Sequence, residues 1–356
     1  MTPRISLRQW NRTLLHRQHL IERVDDDAIE VIDRCVGLQS QDPQAAFFAL
    51  ESRIDDFDPA ELDSLLTDRD VVRMALHRGT VFLMDALDAR WMRPIFHPIF
   101  DAGVRLHARG LRDATVEQAT EVATELFAST DGPVPIADLR ASLTARWPHE
   151  PPADLVAAVR YALPLVQTPP RGLWRQSGAP SYVLLDDWIG DGEPGVTGDE
   201  AVRDLIRMYL RGFGPSTIAG VQLWSGLRGL GPIMRAMEAD WELAQFVGPH
   251  DETLYDLEGL RPADPDVAVP VRFVAPYDNA VFAKADRIRV ADPDVYAQTQ
   301  TRNGQSPGFV LVDGRLAATW QVRDGAVALT ELTDLGAAQR RECEKEAARL
   351  SAFAAR

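Results

Sequence analysis

Cysteine and lysine are nearly missing from this chain of 356 residues. The two cysteines, Cys35 and Cys343, lie far apart and fit no zinc spacing, so neither a disulfide framework nor a zinc finger is expected. A reducing cytoplasm suits such a chain. Apart from Lys284 and Lys345, all 38 basic residues are arginine, the side chain best shaped for phosphate forks. No run of 18 apolar residues occurs, which removes a membrane-spanning helix. The opening stretch MTPRISLRQWNRTLLHRQHL interrupts its apolar residues with Arg, Gln and His and offers no signal-peptide core. GLRGLG at 226–231 lacks the G-x-G-x-x-G order and no P-loop is found. His16 and His19 stand at helical spacing with no third ligand in view, so no metal and no cofactor are expected.

The net charge of −15 works against nucleic acid as a partner, because an acidic body repels phosphates at long range. Acidic residues are nevertheless concentrated, in VDDDAIEVID and DDFDPAELD, and a basic cleft on an acidic body is compatible with the totals. The length predicts two or three units of about 100–150 residues. With 24 prolines and 24 glycines spread along the chain, many short elements are expected and a disordered tract is not.

A helical stripe over 6–22 carries Leu7, Trp10, Leu14 and Leu15, and a second over 26–35 carries Ala28, Ile29, Ile32 and Cys35. Gly37 reads as a helix stop, and Asp42-Pro43 as the N-cap and first-turn proline of the helix PQAAFFALESRI. Gln39 and Gln41 then occupy the turn between two helices, with side chains on the same side if that turn is extended. After a helix near 59–67, DVVRMALH and GTVFLMD form a hairpin split by His77-Arg78-Gly79. Helices followed by a hairpin make a winged helix.

The pattern returns with helices at 115–128, 135–146 and 152–162, punctuated by prolines, and a hairpin LVQTPPRGLWRQSGAPSYVLL. A third helix-turn-helix begins at Gly198-Asp199 and breaks at Gly212 and Gly214, with 253–258 as its short wing strand. From about 266 the alternation in VPVRFVAPYDNAVFAKADRIRV and PGFVLVDGRLAATWQV predicts strands, with Asp313-Gly314 as a tight turn and 334–355 as a closing helix. The expected fold is α+β and mostly α: winged helices at 1–112, 113–195 and 196–262, then a β-rich domain at 263–356. Trp10, Trp224, Trp241 and Trp320 lie in periodic apolar runs and are expected in the core.

GLQSQDP and the alanine-aromatic helix after it resemble the signature of the AlkZ/YcaQ-type bacterial DNA glycosylases, a winged-helix family marked by Gln, an aliphatic residue, then Gln or Asp. The resemblance continues through RGTVFLMDALDARW, PPRGLWRQSG, YLRGFGPST, APYDNAVFAKADR and VLVDGRLAATW. It implies that Gln39 and Gln41 are the catalytic pair. A second Gln, instead of Asp, resembles the subgroup that unhooks interstrand crosslinks and protects producers of DNA-alkylating antibiotics. Ser40 departs from the pattern by replacing the aliphatic residue, which changes packing behind the pair and leaves both amides in place.

Amides make sense only for an activated substrate. Gln has no accessible pKa and is no strong base. An N7-alkylated purine already carries positive charge and leaves without protonation, so C1′–N9 can break through an oxocarbenium-like state. Two carboxamide oxygens then suffice to hold a water and face the growing cation. The alternative role for the pair is to satisfy backbone groups at the junction.

Contacts to duplex DNA carrying alkylated purines are expected from Arg78, from Arg171, Trp174 and Arg175 at the second wing, and from Asn279 and Arg287 in the family motif. Trp174 folded on its own hairpin is an equal reading, as is a turn with a salt bridge at Asp278, Asn279 and Arg287. The family's DNA-cleft hairpin is assignable to the second wing or to the Asp313-Gly314 turn. The expected protein is a cytoplasmic, nucleoid-associated monomer that leaves an abasic site. A non-enzymatic winged-helix regulator is the rival, and would show sequence preference; a protein-interaction module would show no salt-sensitive DNA affinity.

Overall fold

The computed structural model describes residues 2–282, 286–301, 304–323 and 325–356. The chain forms two compact units: residues 1–57, 203–224 and 228–356 build the first, and 58–202 with 225–227 the second.

In the first unit, Ser6 caps the helix Leu7–Arg17 by accepting the Gln9 N–H at 3.1 Å. This helix is buried on most sides and sews distant segments together. Trp10 Nε1 donates to the Pro215 carbonyl at 2.6 Å, and Asn11 Nδ2 donates to the carbonyls of Arg289 and Gly314, both at 2.8 Å. The helices Gly198–Phe213 and Ile218–Ser225, which belong to this unit from Arg203 to Trp224, and Leu230–Ala239 precede an antiparallel hairpin of Leu243–Val247 with Thr253–Leu257. Four antiparallel strands follow in the spatial order Ala326–Glu331, Arg315–Arg323, Gly308–Val312, Arg272–Val274. Asp313 (φ 45°) and Gly314 (φ 76°) make the two-residue turn expected there. The helix Ala337–Ala354 closes the unit, its Phe353 ring edge-on to Phe48 at 5.7 Å.

In the second unit, five strands lie side by side in the order Val81–Asp85, Val71–Ala75, Leu165–Gln167, Ser181–Leu184, Val134–Pro135. The two hairpins expected as separate wings are thus neighbours in one sheet, joined where Met74 faces Val166. The helices Val116–Ser129, Ile136–Arg146 and Pro152–Ala162 stand where proline punctuation predicts them. Leu139, Leu143, Leu155, Val159 and Phe127 form their common core.

Three expectations are corrected. Of the alternating run 270–290, only Arg272–Val274 is strand; Asn279–Phe282 is helical and Arg287–Arg289 a 3-10 turn, because Tyr277 (φ 62°) turns the chain and Asp278 caps the next residues. Residues 283–285 of that run lie outside the described residues. Trp241 is 83 % exposed. It occupies the left-handed position (φ 61°) that ends Leu230–Ala239, where the Glu242 N–H donates to Met237 O and the Trp241 N–H to Glu238 O, so its ring leaves the apolar stripe. His19 lies beyond the end of Leu7–Arg17 at φ 54°, so the two histidines do not share a helix face. Burial, with Arg34 and Arg53 nearby, lowers its pKa to about 4.

Candidate active site

The helix Ala28–Arg34 ends in a tight reversal that delivers the glutamine segment. The Val36 N–H donates to Asp33 O and the Gly37 N–H to Ile32 O, each at 2.9 Å, with φ of 53° and 80°. Glycine adopts this region freely, whereas β-branched Val36 is strained there by about 1–3 kcal/mol. Complete burial of its side chain holds it in place.

Leu38–Gln39 is a two-residue extended segment. Gln39 is 7 % exposed and Ser40 fully buried, while Gln41 faces solvent. The position between the two glutamines is therefore buried in this chain and filled by a small hydroxyl side chain. The helix after the pair starts at Ala45, two residues later than expected. Asp42 instead closes a turn, its carboxylate accepting the Gln44 N–H at 3.0 Å and its carbonyl the Ala45 N–H at 3.1 Å.

Gln39 lines a small recess within the first unit that opens to solvent. Ala45, Ala49 and Arg53, spaced by four, form one wall, and the segment Ala275–Asn279 contributes the facing one. Gln18 and Cys35 complete its polar lining. Gln41 is outside this lining.

Arg53 is the charged centre of the wall. Its guanidinium donates to Asp278 through Nη1 at 2.8 Å and Nη2 at 3.0 Å, and also to Gln18 Oε1 at 3.1 Å and Ala49 O at 3.0 Å. Burial disfavours its charge, but Asp278 and Cys35 together outweigh that and raise the Arg53 pKa. Burial also pushes the Cys35 thiol up to about 11, so the sulfur is neutral and no nucleophile at ordinary pH.

Asn279 joins Gln39 in the recess, 6 % exposed, at the start of its short helix. Asp278 makes a buried salt bridge, with Arg53 as its partner instead of Arg287. Arg287 donates to the carbonyls of Val281 (3.0 Å) and Phe282 (2.8 Å) and stacks 3.5 Å over Tyr296, a thoroughly internal set of contacts. Burial lowers its pKa.

The remaining expected DNA contacts lie in the second unit. Arg78 sits at φ 55° in the turn between two strands, half-buried, 5.6 Å over the Phe82 ring, and burial brings its pKa down to about 10. Arg171 donates to Gly178 O at 2.6 Å and so closes the wing loop on itself. Gly172 (φ 109°) lets Arg73 pass beneath, since a Cβ there would lie 2.8 Å from Arg73 Cδ. Trp174 is half-buried, its N–H donating to Asp63 at 2.8 Å, and Arg175 is exposed. The other candidate hairpin is differently placed: Arg8 donates to Asp313 at 3.0 Å, Arg12 also pairs with Asp313, and Gly314 packs on Asn11 and Leu15.

Sequence reasoning passed over Arg53 and Gln18. The signal available for Arg53 was a cation four residues beyond Ala49 on an alanine face. Among the described residues no group of three or more His, Cys, Asp or Glu side chains has a metal-binding arrangement, and no helix is long and apolar enough to cross a membrane.

The chain is similar to known proteins along its whole length. A curated protein of Streptomyces sahachiroi, the interstrand DNA cross-link repair glycosylase, is 22 % identical over 377 residues, covering 97 % of this chain and 96 % of the relative. The solved structure of Streptomyces sahachiroi DNA glycosylase AlkZ superposes with a TM-score of 0.74 at 20 % identity, covering 99 % of this chain and 97 % of that one, which establishes the shared mixed helix-and-sheet fold. The AlkZ-like DNA glycosylase profile matches residues 32–353, nearly the whole chain, and the protein belongs to that family.

Proposed function

We propose that this protein is a monofunctional DNA glycosylase that hydrolyses the N-glycosidic bond of N7-alkylated purines, including those joined in interstrand crosslinks. The observation that carries the reading is Gln39, an amide buried in the wall of an open recess on a chain of the AlkZ-like family. Gln39 and Gln41 hold the attacking water and face the sugar as it becomes cationic. The C1′–N9 electron pair departs with the base, water oxygen bonds to C1′, and its proton passes to solvent.

We read the fold as three winged-helix units and a C-terminal β-rich domain, acting as a monomer on duplex DNA. Pairing of Val134–Pro135 with Ser181–Leu184 around three helices supports this for the middle unit. The second wing, with Arg171, Trp174 and exposed Arg175, is the hairpin we assign to DNA, because the Asp313-Gly314 turn is engaged by the Leu7–Arg17 helix. Arg78 is also assigned to DNA contact, and Asn279 to contact with the substrate from the recess wall beside Gln39. Arg287 is a weaker candidate, given its internal carbonyl partners.

The test is single-turnover base release from a duplex with one N7-methylguanine and from a nitrogen-mustard crosslinked duplex, comparing wild type with Gln39→Ala/Gln41→Ala. Release by wild type, lost in the variant with DNA binding retained, is expected. Binding without release from either duplex, with preference for one sequence, would establish the regulator instead.

A further inference from the structure

Two charged side chains line the Gln39 recess, and they neutralise each other. Arg53 is 1 % exposed, and its other partners, Gln18, Ala49, the Ser52 hydroxyl and the Cys35 thiol, are all neutral. Asp278 is the one carboxylate paired with it among the described residues. A buried ion pair is a poor way to gain stability, because desolvation offsets its attraction and an apolar pair of similar volume is often as stable. Its position at this recess gives it another use.

We propose that Asp278 and Arg53 form a charge-balancing positioning pair for the site, in which Asp278 cancels a buried guanidinium that would otherwise oppose a cationic sugar. The inference rests on the glycosylase reading. Asp278 performs a second task with the same carboxylate: it accepts the Ala280 N–H at 3.0 Å, while its carbonyl accepts the Phe282 N–H at 2.7 Å. These bonds start the Asn279–Phe282 helix and hold Asn279 in the recess wall beside Gln39. Arg53 in turn ties this segment to the helix Ala45–Glu51 and, through Gln18, to the Gly212 carbonyl at 2.8 Å. Thus one pair fixes both walls and leaves the recess without net charge.

The sign of the effect separates this role from a merely structural one. Removing Asp278 leaves a positive charge that repels an oxocarbenium; removing Arg53 leaves a negative charge that does not. A unit charge about 8–10 Å away, at an effective dielectric of about 20, changes an equilibrium constant roughly fifteen- to thirtyfold. The experiment measures affinity for two duplexes, one with a protonated pyrrolidine abasic-site mimic and one with the uncharged tetrahydrofuran analogue.

Wild type is expected to prefer the cationic mimic. Asp278→Asn is expected to lose about tenfold or more of that preference, Arg53→Met to keep or enlarge it, and Asp278→Glu to restore part of it. If Asp278→Asn fails to fold, Arg53→Met/Asp278→Leu decides: a preference within threefold of wild type supports charge balance, and its loss overturns it. Parallel weakening of both duplexes in both single variants, with the ratio unchanged, reduces the pair to a structural clamp. Wild type that releases no N7-methylguanine and shows no cationic preference removes the glycosylase reading itself, whereas normal wild-type release with an unchanged ratio removes the pair's role alone.

Discussion

Arg17 and Asp256 meet inside the first unit through two parallel hydrogen bonds of 2.7 Å each, and Asp256 has no exposed surface. Arg17 also donates to Leu210 O at 2.7 Å, so one guanidinium joins the first helix, the helix Gly198–Phe213 and the strand Thr253–Leu257. Arg17→Met leaves a buried carboxylate without its cation and should cost about 3–5 kcal/mol. Arg17→Met/Asp256→Leu should recover most of that loss. Urea midpoints of the first-unit transition check both.

Gly314 is indispensable for two separate reasons. Its φ is 76°, and a Cβ would stand 2.5 Å from Asn11 Oδ1 and 2.6 Å from Leu15 Cδ1. Gly314→Ala is expected to lower stability by about 2–3 kcal/mol, combining left-handed strain with a clash against the first helix. Thermal denaturation with an unchanged midpoint would show that the turn is not held there.

Acid should loosen the second unit through Glu150. Its carboxylate accepts the N–H groups of Asp113 (2.5 Å), Ala114 (2.9 Å) and Arg112 (2.8 Å), which holds its pKa below the usual range. A folded-state pKa below the unfolded one contributes stability above the ordinary glutamate value of about 4.3, lost as pH falls through the lower folded value. Glu150→Gln should therefore flatten the acid limb of the stability–pH curve. An unaltered limb in denaturant titrations between about pH 5 and pH 2 would assign acid sensitivity elsewhere.

The two glutamines should differ in what they do for folding. Gln39 is buried and Gln41 exposed, so Gln39→Ala is expected to cost about 1–3 kcal/mol and Gln41→Ala to stay within about 0.5 kcal/mol. Circular-dichroism melts of the single variants measure this independently of base release.

Much of the architecture is legible in the sequence because punctuation and periodicity agree. Pro135, Pro151 and Pro152 bracket two helices whose apolar stripes are clear, and Asp313-Gly314 dictates its own turn. The helices Ala86–Ile95 and His97–Ala108 have no counterpart in the sequence reading; Asp85 caps the first through Leu87 and Asp88, and Pro98 sits in the first turn of the second. Alternation is a poor guide at 275–282, where Tyr277 at φ 62° turns the chain and Asp278 caps a short helix. The glutamine signature marked the recess, but its facing wall comes from residues more than 230 positions later, a relation that only the fold creates.

That long reach bears on how the chain is made. Residues 58–202 are inserted between the halves of the first unit. The first helix cannot complete its bonds to Asp256, Arg289 and Gly314 until those residues have been synthesised. At about 5–20 residues per second, the N-terminal segment waits roughly 15–60 s, while the inserted unit has every contact of its own already available. The middle of the chain is thus free to fold first, and the glutamine site is among the last parts whose partners are all present.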